Sequence, residues 1–148
     1  MNVHYEIFAE ESFDSAHFLR DYPGKCSNIH GHRWRVVAEL SSPGLQNVGA
    51  ERGMLMDFSR LKAGLRELVF PLDHCLIIEE GSLRPELLSL MATDGFVVCS
   101  LPFRPTAENL AHFFFKRLRA LELPVATVTV YETPTLGARY GENNVPDC

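Results

Sequence analysis

The chain has 148 residues, of which 46% are hydrophobic, and it carries a formal net charge of −5 at pH 7. This length and apolar content predict one globular domain over residues 1–148. The negative charge argues against nucleic-acid binding, because such proteins neutralise phosphates with a surplus of Lys and Arg. No apolar run approaches the roughly 20 residues that span a bilayer, and no signal-peptide pattern opens the chain. We therefore expect a cytoplasmic protein with no membrane partner.

The cysteines show no paired spacing, and a chain of this size with an ordinary core does not need disulfides. Free thiols are therefore predicted for all four. They are Cys26, Cys75, Cys99 and Cys148.

The first predicted element is a strand over residues 3–12, in which side-chain types alternate. It leads to His17, which we expect at or just beyond the end of this strand. The next twelve residues have the composition of a loop, and this loop carries Cys26. A second alternating strand is predicted over residues 30–40.

Three histidines from these two strands predict a metal site. His30 and His32 leave the same face of a strand, so both imidazoles can reach one ion. If the first strand pairs antiparallel with the second, His17 comes beside His30. A set of three histidines suits zinc, and a catalytic zinc keeps one further position open. In a structural site, Cys26 would instead be a fourth ligand that closes the site.

The middle of the chain predicts a helix followed by short elements. A short extended segment is expected at residues 54–56, and Asp57 is a suitable N-cap for a helix that Pro71 ends. A helical turn is predicted at 85–91 and a short strand at 96–99. The apolar stripe predicted for the helix comprises Phe58, Leu61, Leu65 and Leu68.

A second helix and a final strand follow. Thr106 is predicted to cap the helix, residues 125–132 alternate as a strand, and residues 134–148 are predicted to be a turn-rich, loose tail. The order of elements predicts an α+β fold with an antiparallel sheet and two helices on one face. Pairing with other copies of the chain would cover the open sheet edges. The apolar stripe predicted for the second helix comprises Leu110, Phe113, Phe114, Leu118 and Leu121.

Two acidic positions carry possible chemistry. Asp73 directly precedes His74, and a carboxylate there can fix the tautomer of the imidazole and raise its basicity. The pair alone is a weak signal, but beside a reactive thiol such as Cys26 it gains a use. Glu132 continues an apolar row of the last strand, so it either lies in solvent or needs a partner that donates hydrogen bonds.

Six motifs resemble, in the same order, those of the 6-pyruvoyl-tetrahydropterin synthase family. The resemblance covers nearly the whole chain, and the spacing of Cys26 from His30 is similar to that of the 6-carboxy-tetrahydropterin synthase branch. The motifs are Phe13-x-x-Ala16-His17, Cys26-x-x-x-His30-Gly31-His32, Met56-Asp57-Phe58, Leu72-Asp73-His74, Pro105-Thr106-Ala107-Glu108-Asn109 and Tyr131-Glu132-Thr133.

The resemblance implies a tunnelling fold (T-fold), in which the sheets of several subunits close into a barrel, usually as a hexamer with active sites between subunits. It implies that zinc is bound by the three histidines. It also implies that Cys26 is the general base, with Asp73 and His74 as proton-transfer partners from across an interface. The residues that it implies for seating a pterin ring are Glu132, Thr106 and Glu108.

The implied reaction converts 7,8-dihydroneopterin triphosphate to 6-carboxy-5,6,7,8-tetrahydropterin, with release of acetaldehyde and triphosphate, in queuosine biosynthesis. Two alternatives stay open. One is a sister activity, either a 6-pyruvoyl-tetrahydropterin synthase or a dihydroneopterin aldolase-like reaction. The other is a non-catalytic binding module with a structural zinc. By charge alone, the candidates for binding the triphosphate are Arg20, Lys25, Arg33 and Arg35.

Overall fold

A computed structural model describes residues 4–142. Position 3, where the first predicted strand begins, and Cys148 lie outside the described residues. The strands are β1 (Tyr5–His17), β2 (His30–Ser42), β3 (Leu76–Glu79), β4 (Val98–Leu101), β5 (Thr127–Thr133) and β6 (Leu136–Gly141). The helices are α1 (Phe58–Val69), α2 (Pro85–Thr93) and α3 (Ala107–Ala120).

The long antiparallel pair of β1 and β2 is the centre of the sheet. Its register places Tyr5 opposite Ser42 and His17 opposite His30, which confirms the predicted pairing. Strand β1 continues past the polar residues at which the prediction ended it. The carboxylate of Glu11 accepts a hydrogen bond of 2.7 Å from Arg66 of α1, so this polar side chain is satisfied within the strand.

The sheet is mixed, and the prediction of a purely antiparallel sheet is wrong. Six strands lie in the order β4-β3-β1-β2-β5-β6, and β3 runs parallel to both β1 and β4. Parallel neighbours need a crossover connection, and α2 provides one between β3 and β4. The helical turn expected at 85–91 is part of α2, so the fold has three helices rather than two.

The C-terminal region contains a strand where a loose tail was predicted. Strand β6 pairs antiparallel with β5, and Gly137 lies opposite Tyr131. A Cβ atom at Gly137 would lie 2.7 Å from the carbonyl oxygen of Val130, so this close approach requires glycine. The extended segment predicted at 54–56 is irregular and forms no strand.

The core lies between one face of the sheet and helices α1 and α3. Phe13 stacks on Trp34 with ring centroids 6.0 Å apart, and Phe114 of α3 packs against Phe13. Two predicted members of the helical stripes lie outside the core, because Phe58 is 63% exposed and Leu121 is also exposed. The members of the two stripes that are fully buried are Leu61, Leu65, Leu110, Phe114 and Leu118.

The two predicted helix caps are confirmed. The carboxylate of Asp57 accepts a hydrogen bond of 2.8 Å from the backbone N–H of Ser59. The hydroxyl of Thr106 accepts one of 3.3 Å from Asn109. Within residues 4–142, no helix is long and apolar enough to cross a membrane. The described cysteines are free thiols, namely Cys26, Cys75 and Cys99.

Candidate active site

Three histidines meet at the paired ends of β1 and β2. His17 is the last residue of β1, and His30 and His32 are the first and third residues of β2. Alternation along both strands brings the three rings to the side of the sheet that faces the core. Trp34 lies beside them, with its ring centroid 4.8 Å from that of His17 and 5.2 Å from that of His32.

Backbone carbonyls determine which ring nitrogens are free. Nδ1 of His17 donates a hydrogen bond of 2.8 Å to the carbonyl of Pro105, and Nδ1 of His30 donates one of 2.7 Å to that of Asn28. In each neutral ring, Nε2 then carries the lone pair. These two Nε2 atoms lie 3.1 Å apart, close to the separation of about 3.3 Å that zinc–nitrogen bonds of about 2.0 Å give in a tetrahedron.

His32 completes a set of donors that fits a divalent cation. Its Nε2 atom is buried and, within the described chain, has no hydrogen-bond partner. One ring nitrogen from each of His17, His30 and His32 lies within 4.8 Å of the other two. Two facing lone pairs and one orphaned buried nitrogen are unfavourable unless a cation lies among them. The three histidines therefore fit zinc, as the sequence predicted.

The surroundings favour the neutral forms of His17 and His32, and the neutral form is the one that binds a metal. The pKa of His17 is lowered to about 4, mainly by burial and also by the neighbouring rings of His30 and His32, although the hydrogen bond to Pro105 opposes this. Burial also lowers the pKa of His32, although the carboxylate of Glu132 opposes this. At neutral pH, both rings are ready to donate a lone pair.

A cavity of about 360 Å³ opens beside the histidines and brings together most of the predicted site. Cys26 lies on a 3₁₀ turn (Lys25–Ser27), and its carbonyl accepts a hydrogen bond of 2.9 Å from the N–H of Leu19. Within the described chain, the donor group around the metal position consists of the three histidines, and the thiol of Cys26 is not a member. The residues lining the cavity include His17, His30, Cys26, Thr106, Glu108 and Glu132.

Glu132 lies at the inner side of this cavity. One carboxylate oxygen is 3.8 Å from Nε2 of His17, and the side chain is 32% exposed. His17 uses its N–H for Pro105, so this contact is not a hydrogen bond. The Glu132 carboxylate therefore keeps its capacity to accept hydrogen bonds from a ligand with N–H donors.

Within one chain, Asp73 and His74 do not reach the three histidines. Nδ1 of His74 lies 3.0 Å from the Asp73 carboxylate, and the backbone N–H of Asp14 donates to Asp73 at 2.8 Å. The side chain of Asp14 alternates with that of His17, so the acid–histidine pair is held at the opposite face of the sheet. His74 has φ of +56°, and its ring lines a different cavity, of about 530 Å³.

Two of the four triphosphate candidates already have close carboxylate partners. Arg33 pairs with Asp14 at 2.8 Å, and Arg35 pairs with Glu10 at 2.9 Å. Both guanidinium groups belong to the face of β2 that points away from the histidines. Arg20 and Lys25, in contrast, lie on the segment that carries Cys26.

Several groups of the site were missed in the sequence. Trp34 lies two residues after His32 in an alternating strand, but nothing in the sequence marked it as a neighbour of all three histidines. The carbonyls of Asn28 and Pro105 hold imidazoles, and a backbone carbonyl has no signal in sequence. Tyr22 also lines the cavity, and its place in a loop of turn composition gave no indication of this.

Comparison with known proteins agrees with this geometry. Residues 6–143 match the family model described as 6-pyruvoyl tetrahydropterin synthase. The chain belongs to the 6-pyruvoyl tetrahydropterin synthase family. A 6-carboxy-5,6,7,8-tetrahydropterin synthase of Haemophilus influenzae is 36% identical over 141 residues, which cover 93% of this chain and 99% of the relative. The corresponding Synechocystis enzyme is 36% identical over 136 residues, covering 90% and 91%.

Solved structures of other proteins share the fold. An uncharacterized protein from Wolinella succinogenes superposes with a TM-score of 0.76 at 24% identity, covering 95% of this chain and 99% of that one. The 6-pyruvoyl tetrahydropterin synthase of Plasmodium vivax gives 0.70 at 22% identity over the same shares. The mixed, curled sheet with its helices is the T-fold of this family.

Proposed function

We propose that the protein is a zinc-dependent 6-carboxy-5,6,7,8-tetrahydropterin synthase that acts on 7,8-dihydroneopterin triphosphate. One observation carries this proposal. Three imidazole lone pairs converge at a cavity that also holds an uncoordinated thiol, Cys26, and a carboxylate with free acceptor capacity, Glu132. The names of the relatives in Haemophilus influenzae and Synechocystis support the same reaction.

His17, His30 and His32 would hold the zinc ion, and bound zinc would supply Lewis acidity toward the hydroxyl groups of the substrate side chain. The protein fixes these ligands before any metal arrives. Carbonyl acceptors orient the rings of His17 and His30, and burial keeps His17 unprotonated at neutral pH. Such outer partners hold ring orientation and tautomer.

Glu132 would anchor the pterin ring. A carboxylate can accept two hydrogen bonds side by side, which matches a ring N–H and an adjacent amino group. Thr106 and Glu108 lie on the wall of the same cavity, at the start of α3, and would help to seat the ring. Anchoring the ring at Glu132 directs the side chain of the substrate toward the histidines, because the carboxylate is 3.8 Å from His17.

Cys26 would act as the general base toward the substrate side chain, and Asp73 with His74 would complete proton transfer between side chain and ring. Cleavage of a side-chain carbon–carbon bond would release acetaldehyde, and elimination would release triphosphate. His74 is 78% exposed and does not line the cavity that contains Cys26 and Glu132 of its own chain. This placement supports a site in which a neighbouring subunit supplies Asp73 and His74.

The same placement supports assembly of the sheets into a barrel, in a hexamer built as a dimer of trimers. The described sheet ends in two uncovered edges, β4 and β6, which pairing between copies would cover. We place this enzyme in the cytoplasm, in the branch of pterin chemistry that leads to queuosine.

The test is incubation of the zinc-loaded protein with 7,8-dihydroneopterin triphosphate, followed by identification of the pterin product and assay of acetaldehyde. We expect 6-carboxy-5,6,7,8-tetrahydropterin and acetaldehyde in equal amounts. Formation of 6-pyruvoyl-tetrahydropterin without acetaldehyde would favour the sister activity instead. No turnover, together with loss of zinc from a Cys26→Ala variant, would favour a closed structural site in a binding module.

A further inference from the structure

A second cavity, of about 460 Å³, borders the chain segment that also borders the candidate active site. Leu19 lines the active-site cavity, and Arg20, the next residue in the chain, lines the second cavity. One short segment therefore contributes to both cavities. The second cavity is also lined by Ser82 and Arg84, and by the apolar side chains of Leu87 and Leu90 of α2.

Positive charge is concentrated around the second cavity, although the chain as a whole carries a net charge of −5. Arg20 and Arg84 both line the cavity, although they are far apart in the sequence. A third guanidinium, that of Arg104, donates a hydrogen bond to the backbone carbonyl of Arg20. The carbonyl of Arg104 in turn accepts hydrogen bonds from Thr106 and Asn109, at the start of α3. Arg104 thus links the wall of the active-site cavity to the segment that carries Arg20.

The carboxylates near these arginines leave their charge largely uncompensated. The carboxylate nearest to Arg20 is that of Asp21, at 3.9 Å and 93% exposed, and contacts of this kind contribute little. Within residues 4–142, no carboxylate forms an ion pair with Arg84. Glu86 also lines the cavity and is the acidic group that a bound anion would face. Arg33 and Arg35, by comparison, have partners within 3 Å.

We propose that this second cavity binds the triphosphate tail of the substrate, with Arg20 and Arg84 as the binding residues and Arg104 as a positioning residue. The inference rests on the proposed function, since the pterin would occupy the neighbouring cavity. A triphosphate carries about four negative charges at neutral pH, and guanidinium groups bind phosphate oxygens with two parallel hydrogen bonds.

This assignment revises the candidates that charge alone suggested. It keeps Arg20, removes Arg33 and Arg35, and adds Arg84 and Arg104. The added residues belong to the segment between β3 and α3, where the sequence showed no chemistry. Arg84 immediately precedes α2, so this helix with its crossover would be the element that adapts the fold to a polyphosphate substrate.

Inorganic triphosphate is the probe that separates this inference from the proposed reaction. Its Kd for the zinc-loaded protein is measured by calorimetry at two salt concentrations, with zinc content checked after each titration because triphosphate can chelate the metal. We expect Arg84→Ala and Arg20→Ala each to weaken binding about tenfold, and Arg84→Lys to restore part of the loss. Arg52→Ala removes the same charge from an exposed loop and is the matched control, for which a change below about twofold is expected.

A kinetic comparison gives a second readout. For 7,8-dihydroneopterin triphosphate, we expect Arg84→Ala to raise KM about tenfold, while the Kd for dihydroneopterin, which lacks the phosphates, stays within about twofold. The inference is wrong if Arg84→Ala and Arg20→Ala bind triphosphate as tightly as Arg52→Ala does, even when the product forms normally. If triphosphate binding depends on both arginines but no tetrahydropterin forms, the anion site stands and the proposed reaction fails.

Discussion

The three-histidine cluster and the Asp73–His74 pair lie at opposite faces of the sheet, and they differ in how many contacts hold them. His17 is 1% exposed, and its ring is fixed by a carbonyl, two other imidazoles and Trp34. His74 is 78% exposed, and its ring lies 3.0 Å from the carboxylate of Asp73. Under the proposed function, the first region binds a metal within one chain, and the second offers an acid–base pair to a neighbouring chain.

This difference indicates where the protein needs rigidity and where it needs access. A metal ligand must be neutral and held, which burial and backbone acceptors achieve. A proton-transfer group must reach the substrate and exchange protons near neutral pH, which exposure allows. Four sets of variants test this difference between the buried cluster and the exposed pair, from the largest expected effect to the smallest.

The largest effect is expected at the buried cluster. His32→Ala removes the orphaned Nε2 atom, so we expect zinc content to fall from about one ion per chain to near zero and turnover to fall on the order of 10³-fold or more. Metal analysis and a product assay measure the two effects. His112→Ala changes an exposed histidine on α3 and should keep both zinc and turnover. Full zinc content in His32→Ala would contradict a three-histidine site.

The second effect tests whether the two regions meet between chains. Cys26→Ala and His74→Ala should each keep zinc and lose turnover by about 10²–10⁴-fold, because each removes a proton-transfer group. If the groups come from different subunits, exchanging subunits between the two variants should restore activity at about a quarter of the sites. Cys99→Ala is the matched thiol control and should stay active. Two inactive variants that fail to complement after proven exchange would place both groups in one chain.

A smaller effect is expected for Asp73→Asn, which keeps the shape of the side chain. We expect turnover to fall about tenfold, less than for His74→Ala, because the imidazole remains but is no longer oriented by a carboxylate. The backbone N–H of Asp14, followed by His74, holds the pKa of Asp73 below its ordinary value of 3.8.

A carboxylate whose pKa is lowered on folding stabilises the folded state at pH values above its ordinary pKa. This stabilisation is lost as the pH falls through the pKa of the folded state. The difference in urea midpoint between the wild type and Asp73→Asn should therefore shrink as the pH falls below about 4. Asp94→Asn, on the exposed end of α2, is the control and should show no such trend. A difference that grows as the pH falls below about 4 would contradict the contact with Asp14.

The smallest effect is expected for Thr106→Ala, which removes the cap of α3 at the wall of the active-site cavity. Loss of the hydrogen bond to the N–H of Asn109 should lower the free energy of unfolding by about 1 kcal/mol. Thr106→Ser keeps the hydroxyl and should recover most of this loss. Denaturant unfolding measures both variants, and equal stability of the two would show that the cap contributes nothing.

The sequence predicted the buried cluster well because strand geometry determines it. Two histidines at positions i and i+2, and a third at the end of the preceding strand, need only antiparallel pairing to meet. The helix caps Asp57 and Thr106 were also predictable, since capping is a local interaction.

Longer-range features of the fold were not predictable in the same way. Strands β3 and β4 have four residues each, and such short apolar runs carry no periodicity that separates parallel from antiparallel pairing. Strand β6 was predicted as a tail because Gly137 has turn character, although its role is to permit a close backbone approach. Phe58 fits the apolar spacing of α1, but it is the first residue of the helix and is 63% exposed.

The register of β1 against β2 has a consequence for how the protein folds. If the two strands slipped by a single residue, the side chains of one strand would change faces, and His17 would point away from His30 and His32. Correctly paired strands would then bind the metal, whereas strands shifted by an odd number of residues would not. Binding of the ion during folding would selectively stabilise the native register, because only chains with that register would gain the binding free energy.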